Sequence, residues 1–145
     1  MYCRVSARVA QRYALDKIAD DRLRVYVVWG PYKEEETVED ARQAAPFVPD
    51  PRATHFWTAS LAPGDLFKES LQPLGLGPGS PWDSFLTFEA AAVWEEEPPV
   101  PVSLMHRNVA GKPMHGERLH ALLGELLSDK SRTDGQPPAR APDLH

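Results

Sequence analysis

The sequence predicts an α/β fold, a mixed sheet with flanking helices in three layers, and three observations predict it. Leu23 to Gly30, Leu-Arg-Val-Tyr-Val-Val-Trp-Gly, is a β-branched and aromatic run stopped by Gly30-Pro31, the pattern of a central strand buried on both faces. On either side of it, helical and extended stretches alternate. Near the end, Leu119, Leu122, Leu123 and Leu126 recur at i, i+3, i+4 and i+7, the stripe of a helix over Glu117 to Ser128 laid on the sheet.

The elements follow in order. Arg4 to Asp20 reads as a helix, with Val5, Val9 and Tyr13 as its apolar line and Ala10, Ala14 and Ile18 widening it; Arg4, Arg8 and Arg12 form a solvated line beside it. Thr37 is an N-cap with Asp40 three residues on, opening a short helix that proline ends by Pro46. Thr54 to Trp57 is a short strand, and a helical crossover from the Leu23 strand places it parallel, nearer the sheet edge. Pro63 to Leu71 is a second short helix with Leu66, Phe67 and Leu71 as its apolar side. Leu74 to Pro81, rich in glycine and proline, is a connection; it lacks the lysine of a phosphate loop. Trp82 to Trp94 and Val100 to Val109 are extended runs that pair as an antiparallel hairpin with a long connection.

The 145 residues suffice for one domain with a real core, placed at residues 1–128. Residues 129–145, with three prolines and one leucine, offer too little apolar surface to offset ordering and read as a disordered tail. A net charge of −5 argues against a nucleic-acid surface. No apolar run approaches the ~20 residues that cross a bilayer, so no membrane contact is expected. One cysteine forms no internal disulfide, which suits a reducing, cytoplasmic setting. Neither cofactor nor metal is implied: the histidines are scattered, His115 and His120 lie five apart, and a zinc site needs three or four convergent ligands.

The order of elements, with Cys3 opening the first helix, Leu23 to Trp29 as the next strand, Pro81 before the hairpin and the leucine-striped last helix, resembles the thioredoxin-like fold with one strand and helix inserted. The segments Val25 to Trp29, Asp50 to Trp57 and Pro81-Trp82-Asp83 resemble those of an uncharacterised bacterial group of thioredoxin-like proteins. The resemblance implies thiol–disulfide oxidoreductase descent, with Cys3 as the catalytic position and Trp29, Tyr32, Pro81 and Trp82 at the cysteine end of the sheet, where they line a groove for a protein or small-thiol partner. It also implies an N-terminally truncated form, since only Met1 and Tyr2 precede Cys3 where the family has a strand.

Two registers are open. With Cys3 as the second cysteine of Cys-x-x-Cys, the attacking cysteine is absent and the chain is catalytically dead. With Cys3 first, Cys3-Arg4-Val5-Ser6 is a monothiol form that makes a mixed disulfide but does not resolve it. The other class of reading is a non-catalytic interaction module using the aromatic end of the sheet. A missing first strand further predicts self-association through an exposed sheet edge.

Overall fold

The computed structural model describes residues 2–31, 33–60, 62–76, 81–107, 109–111 and 113–128, without the side chains of Tyr2, Cys3 and Pro63. The tail expected at 129–145 lies outside the described residues. The fold is mixed α/β, with small sheets and flanking helices. Its elements are α1 (Tyr2–Tyr13), β1 (Val25–Trp29), α2 (Val38–Ala44), β2 (Ala53–Trp57), α3 (Ala62–Leu66), α4 (Lys68–Leu71), β3 (Ser84–Thr87), β4 (Ser103–His106) and α5 (Gly116–Ser128).

Both expected pairings form. β1 and β2 are parallel, with Val25 opposite Ala53 and Trp29 opposite Trp57, and β3 and β4 are antiparallel, with Ser84 opposite His106. The single mixed sheet does not: these are two separate two-stranded sheets. The strands are also shorter than the apolar runs, because the chain turns at Ala90 and Ala91 and leaves Val93 and Trp94 exposed.

The hairpin is the element with cover on both faces. Phe85 and Met105 point into a core made with Ala14, Leu119 and Leu123, between α1 and α5. One residue along each strand, Leu86 and Leu104 point the other way, to Leu71, Leu76 and Phe67 around α4. Alternation puts neighbouring side chains on opposite faces, so four residues serve two cores.

β1 corrects the expectation of a strand buried on both faces. Val25, Val27 and Trp29 are half-buried, but Tyr26 is 59% and Val28 47% exposed. Burial of the second face requires a neighbour on that side, and α4 sits instead over the hairpin.

The first helix also differs from its reading. It ends at Tyr13, and Leu15–Lys17 form a 3-10 turn. The side packed into the core is Ala10 together with Ala14 and Ile18 just beyond the helix, while Val5 and Tyr13 are exposed. Small residues win because α1 and α5 cross closely. A Cβ on Gly116 would collide with Tyr13 Cβ and come within 2.9 Å of the Val9 carbonyl.

A half-buried arginine fastens the segment that follows α1. Arg52 holds Asp50 through two bonds, Nε to Oδ1 at 2.8 Å and Nη2 to Oδ2 at 2.6 Å. The same guanidinium donates to the carbonyls of Leu15 at 3.0 Å, Ile18 at 2.7 Å and Asp20 at 3.2 Å. Those carbonyls belong to the 3-10 turn and the loop that follow α1, and two of them, Leu15 and Asp20, also accept a backbone N–H. The Arg52 side chain, 13% exposed, therefore ties the segment after α1 to the start of β2, and its bonds hold the Asp50 carboxyl below the usual range.

α2 opens as expected. The Asp40 carboxylate accepts from the Thr37 backbone N–H at 2.8 Å and from its hydroxyl at 3.0 Å. Pro46 lies in a 3-10 turn, Ala45–Phe47, that closes it. The helix expected over Pro63 to Leu71 is broken at Phe67 into α3 and α4; Leu71 is fully buried, whereas Leu66 is exposed.

Candidate functional site

The first turn of α1 meets the turn before β3. Ser6 Oγ donates to Asp83 Oδ1 at 2.6 Å across 77 positions of sequence. Asp83 has φ of +58°, the left-handed region that Asp tolerates better than most residues. The Ser84 hydroxyl donates back to the Pro81 carbonyl, so Pro81 to Ser84 is a closed turn that presents the Asp83 carboxylate to α1. Backbone strain at a non-glycine residue persists where surrounding contacts enforce it. Here the Ser6 hydroxyl is one such contact.

A cleft of about 280 Å³ opens at this junction, lined by Val5, Ser6, Asp83, Arg107, Pro113 and Met114. A carboxylate, a hydroxyl and a guanidinium thus border an apolar floor. The volume lies at the lower edge of ordinary small-molecule sites, about 300–1,000 Å³, and suits a peptide side chain or a small thiol.

Cys3 lies on α1 three residues before Ser6, and so on the same side of the helix. Its side chain is outside the described atoms. Trp82 rests its ring on Gly30, where a Cβ would collide with it, and its indole Nε1 is enclosed without a hydrogen-bond partner among the described residues. Pro81 contributes its carbonyl to the turn. Tyr32 lies outside the described residues.

Trp29 points elsewhere. Its Nε1 donates to His55 Nδ1 at 3.0 Å, with the two ring planes 3° apart, and His55 Nε2 lies 3.2 Å from the Val48 carbonyl. The indole is thereby engaged with β2. The structure thus brings Ser6 of α1 to Asp83, in the turn that Pro81 and Ser84 close, while Trp29 is held by His55 of β2.

Arg107 and Met114 were not among the residues singled out from sequence. Nothing local marks them, since they reach the cleft only through the hairpin and the approach to α5. Asp83 carried a faint signal, an Asp between Trp82 and Ser84 just before a strand, where left-handed turns are common.

Among the described residues, no group of three or more His, Cys, Asp or Glu is placed to hold a metal ion. No helix among them is long and apolar enough to cross a membrane. Fold and site together define a mixed α/β protein with a small polar-rimmed cleft at a helix N-terminus. No protein-family model, curated protein or solved structure matches the chain.

Proposed function

We propose that the chain is a thioredoxin-like domain of thiol–disulfide oxidoreductase descent, in which Cys3 acts as a single reactive thiol toward a protein or small-thiol partner in the cytoplasm. The observation that carries this reading is the Ser6–Asp83 bond at 2.6 Å. It draws the cysteine's helical turn against the turn before the hairpin, beside a cleft of a size for one side chain. The order of elements supports the same reading: helix, strand, parallel strand, antiparallel hairpin, final helix.

The chemistry follows from one thiol. At the start of α1, unsatisfied backbone N–H groups and the positive end of the dipole favour thiolate over thiol. The Cys3 thiolate attacks one sulfur of a partner disulfide and forms a mixed disulfide; the other partner sulfur leaves as thiolate and takes up a proton. With one cysteine in the sequence, release requires a second thiol from outside, which attacks the mixed disulfide and returns Cys3.

The test is the pH profile of alkylation by iodoacetamide. A midpoint below about 8.5, the free-cysteine value, is expected, together with insulin reduction only when glutathione is added. A midpoint at or above the free value would remove the redox reading. The alternative, a non-catalytic interaction module, is favoured by the open edges of the two sheets.

A further inference from the structure

We infer that the aromatic cluster Phe67, Phe88 and Trp94, at the far end of β3 from Asp83, is a docking surface for an amphipathic helix of another protein, apolar on one face and bordered by lysine or arginine. The inference does not rest on the chemistry of Cys3. It rests on an apolar patch that the fold leaves open and on the charges that ring it.

The patch is built by a turn. After β3 the chain reverses over Glu89 to Ala92, where the Ala92 N–H donates to the Glu89 carbonyl at 3.0 Å, and Trp94 comes back to Phe67. The two rings meet edge to face with centroids 5.0 Å apart, and Phe88 lies 6.4 Å from Phe67. Phe67 also packs inward on the core of Leu71, Leu76 and Leu104, which anchors the cluster to the hairpin. Its outward side is open. Leu66, Val93 and Trp94 are each half or more exposed, and so in part is Val102, whose N–H donates to the carbonyl of Thr87, next to Phe88. Apolar residues scattered over a surface need no explanation, whereas these gather around one ring cluster. The first turn of α1 meets the hairpin at the other end, at Asp83, and α1 packs on the other hairpin face with Phe85 and Met105.

The occupant follows from the charges beside the rings. Asp65 and Glu69 flank Phe67, Glu89 follows Phe88, and Glu95, Glu96 and Glu97 follow Trp94. The one cation within residues 65–69 and 88–97, Lys68, is held by Asp65 at 2.6 Å. A local field of this sign selects a partner with a basic border. It turns away a second copy, since setting the patch against its like brings carboxylates against carboxylates. Residues 129–145 of the chain carry three basic residues, three acidic ones and one leucine, and so supply neither the charge nor an apolar face. The patch offers side chains rather than a strand edge. A helix is the element that brings an apolar stripe with its own backbone bonds already made.

The probe is the acetylated peptide Lys-Leu-Ala-Lys-Leu-Leu-Lys-Lys-Leu-Ala-Lys-Leu-Leu-Lys, titrated into the full chain and followed by the indole N–H signals of its four tryptophans in NMR. The Trp94 signal should shift, and that of Trp29, held by His55, should not. Trp94→Ser should weaken binding about tenfold or more, as loss of an aromatic anchor does, with the circular dichroism preserved because Trp94 lies outside the helices and strands. Changing Glu95, Glu96 and Glu97 together to glutamine should also weaken binding about tenfold at low salt and flatten its salt dependence. The same peptide with glutamate for lysine should not bind. Cys3→Ser should leave the titration unchanged, which separates the patch from the redox reading. Binding that survives Trp94→Ser would overturn the inference by reducing the contact to a general attraction to an acidic chain. Equal binding of the glutamate peptide would overturn it too. So would shielding of Trp94 that grows with protein concentration without peptide, which would give the patch to a second copy, or Trp94-dependent binding to phosphatidylcholine vesicles, which would give it to a membrane. Trp94 already shielded from acrylamide in dilute protein purified from its natural host would give the patch to a segment of the same polypeptide, and would overturn the inference as well.

Discussion

Replacing Arg52 with alanine is the perturbation with the largest expected effect on the fold outside the apolar core. The guanidinium makes two bonds to Asp50 and three to the carbonyls of Leu15, Ile18 and Asp20. At about 1.5–3 kcal/mol for each bond to a charged group, five would rival the whole stability of a domain, so simple addition overcounts. The carbonyls regain water once the side chain is gone, and the decisive loss is that Asp50, its side chain 4% exposed, keeps a charge with no partner. Breaking a buried pair from one side costs about 3–5 kcal/mol. In a chain of this length that is roughly 6–20 °C of melting temperature. Urea denaturation monitored by circular dichroism would measure it. Arg52→Lys should lose more than half as much, because one ammonium does not reproduce a planar fork that spans five acceptors. A double-mutant cycle with Asp50→Ala should show strong coupling. A loss below about 1 kcal/mol for Arg52→Ala would place the pair with exposed salt bridges and refute the clamp.

Acid should weaken the fold in a defined window. The Asp50 carboxyl is held below its usual 3.8 chiefly by the Arg52 side-chain bonds, and Asp20 is lowered to about 2 by Arg22. A depressed carboxylate stabilises the folded state above its unfolded pKa and ceases to do so as pH falls through the folded one. Stability should therefore decline below about pH 4, and Arg52→Ala should flatten the decline, as urea midpoints against pH would show. Leu123→Ala should cost roughly 2–5 kcal/mol and Val5→Ala less than about 0.5, because Leu123 is in the α1–α5 core and Val5 is exposed; equal losses on denaturation would contradict the assigned face of α1. Gly116→Ala should destabilise by about 1–3 kcal/mol, since the atoms it meets include the backbone of α1 and cannot swing aside. Gly30→Ala should displace the Trp82 ring and shift its fluorescence; an unchanged spectrum would dissociate the two residues.

Much of the fold was legible where the signal was local. The Thr37 and Asp40 pair marked the start of α2, the extended runs around Phe85 and Leu104 marked the hairpin, and the leucine stripe marked α5. The buried side of the first helix was half legible: Ala10, Ala14 and Ile18 were read as widening the apolar line, but not as its centre, because alanine carries little hydrophobic weight. Ala10, Ala14 and Ile18 outrank Val5 and Tyr13 only once Gly116 lets another helix come close. The second face of β1 misled for a related reason: Tyr26 and Val28 are as apolar as a central strand requires, but cover depends on what lies alongside. At the candidate cleft, the Pro81-Trp82-Asp83 stretch stood out in the sequence through a resemblance, without a sign that Asp83 meets Ser6. Arg107 and Met114 reach the cleft through tertiary packing, which leaves no trace in their own neighbourhoods.

The hairpin's two-sided cover has a consequence for how the molecule comes apart. Exchange of the β3 and β4 amides requires both helical layers to be released together, so those amides should exchange only through global unfolding. β1 is open on one face, and the pair it forms with β2 is fastened at the Arg52 end to the segment after α1, which leaves a cheaper route: the parallel pair lifts away while the hairpin and α5 stay folded. A protease acting on the native protein would then cut first near the Lys33 to Glu36 loop, and the fragment that survives longest would carry the hairpin and the last helix.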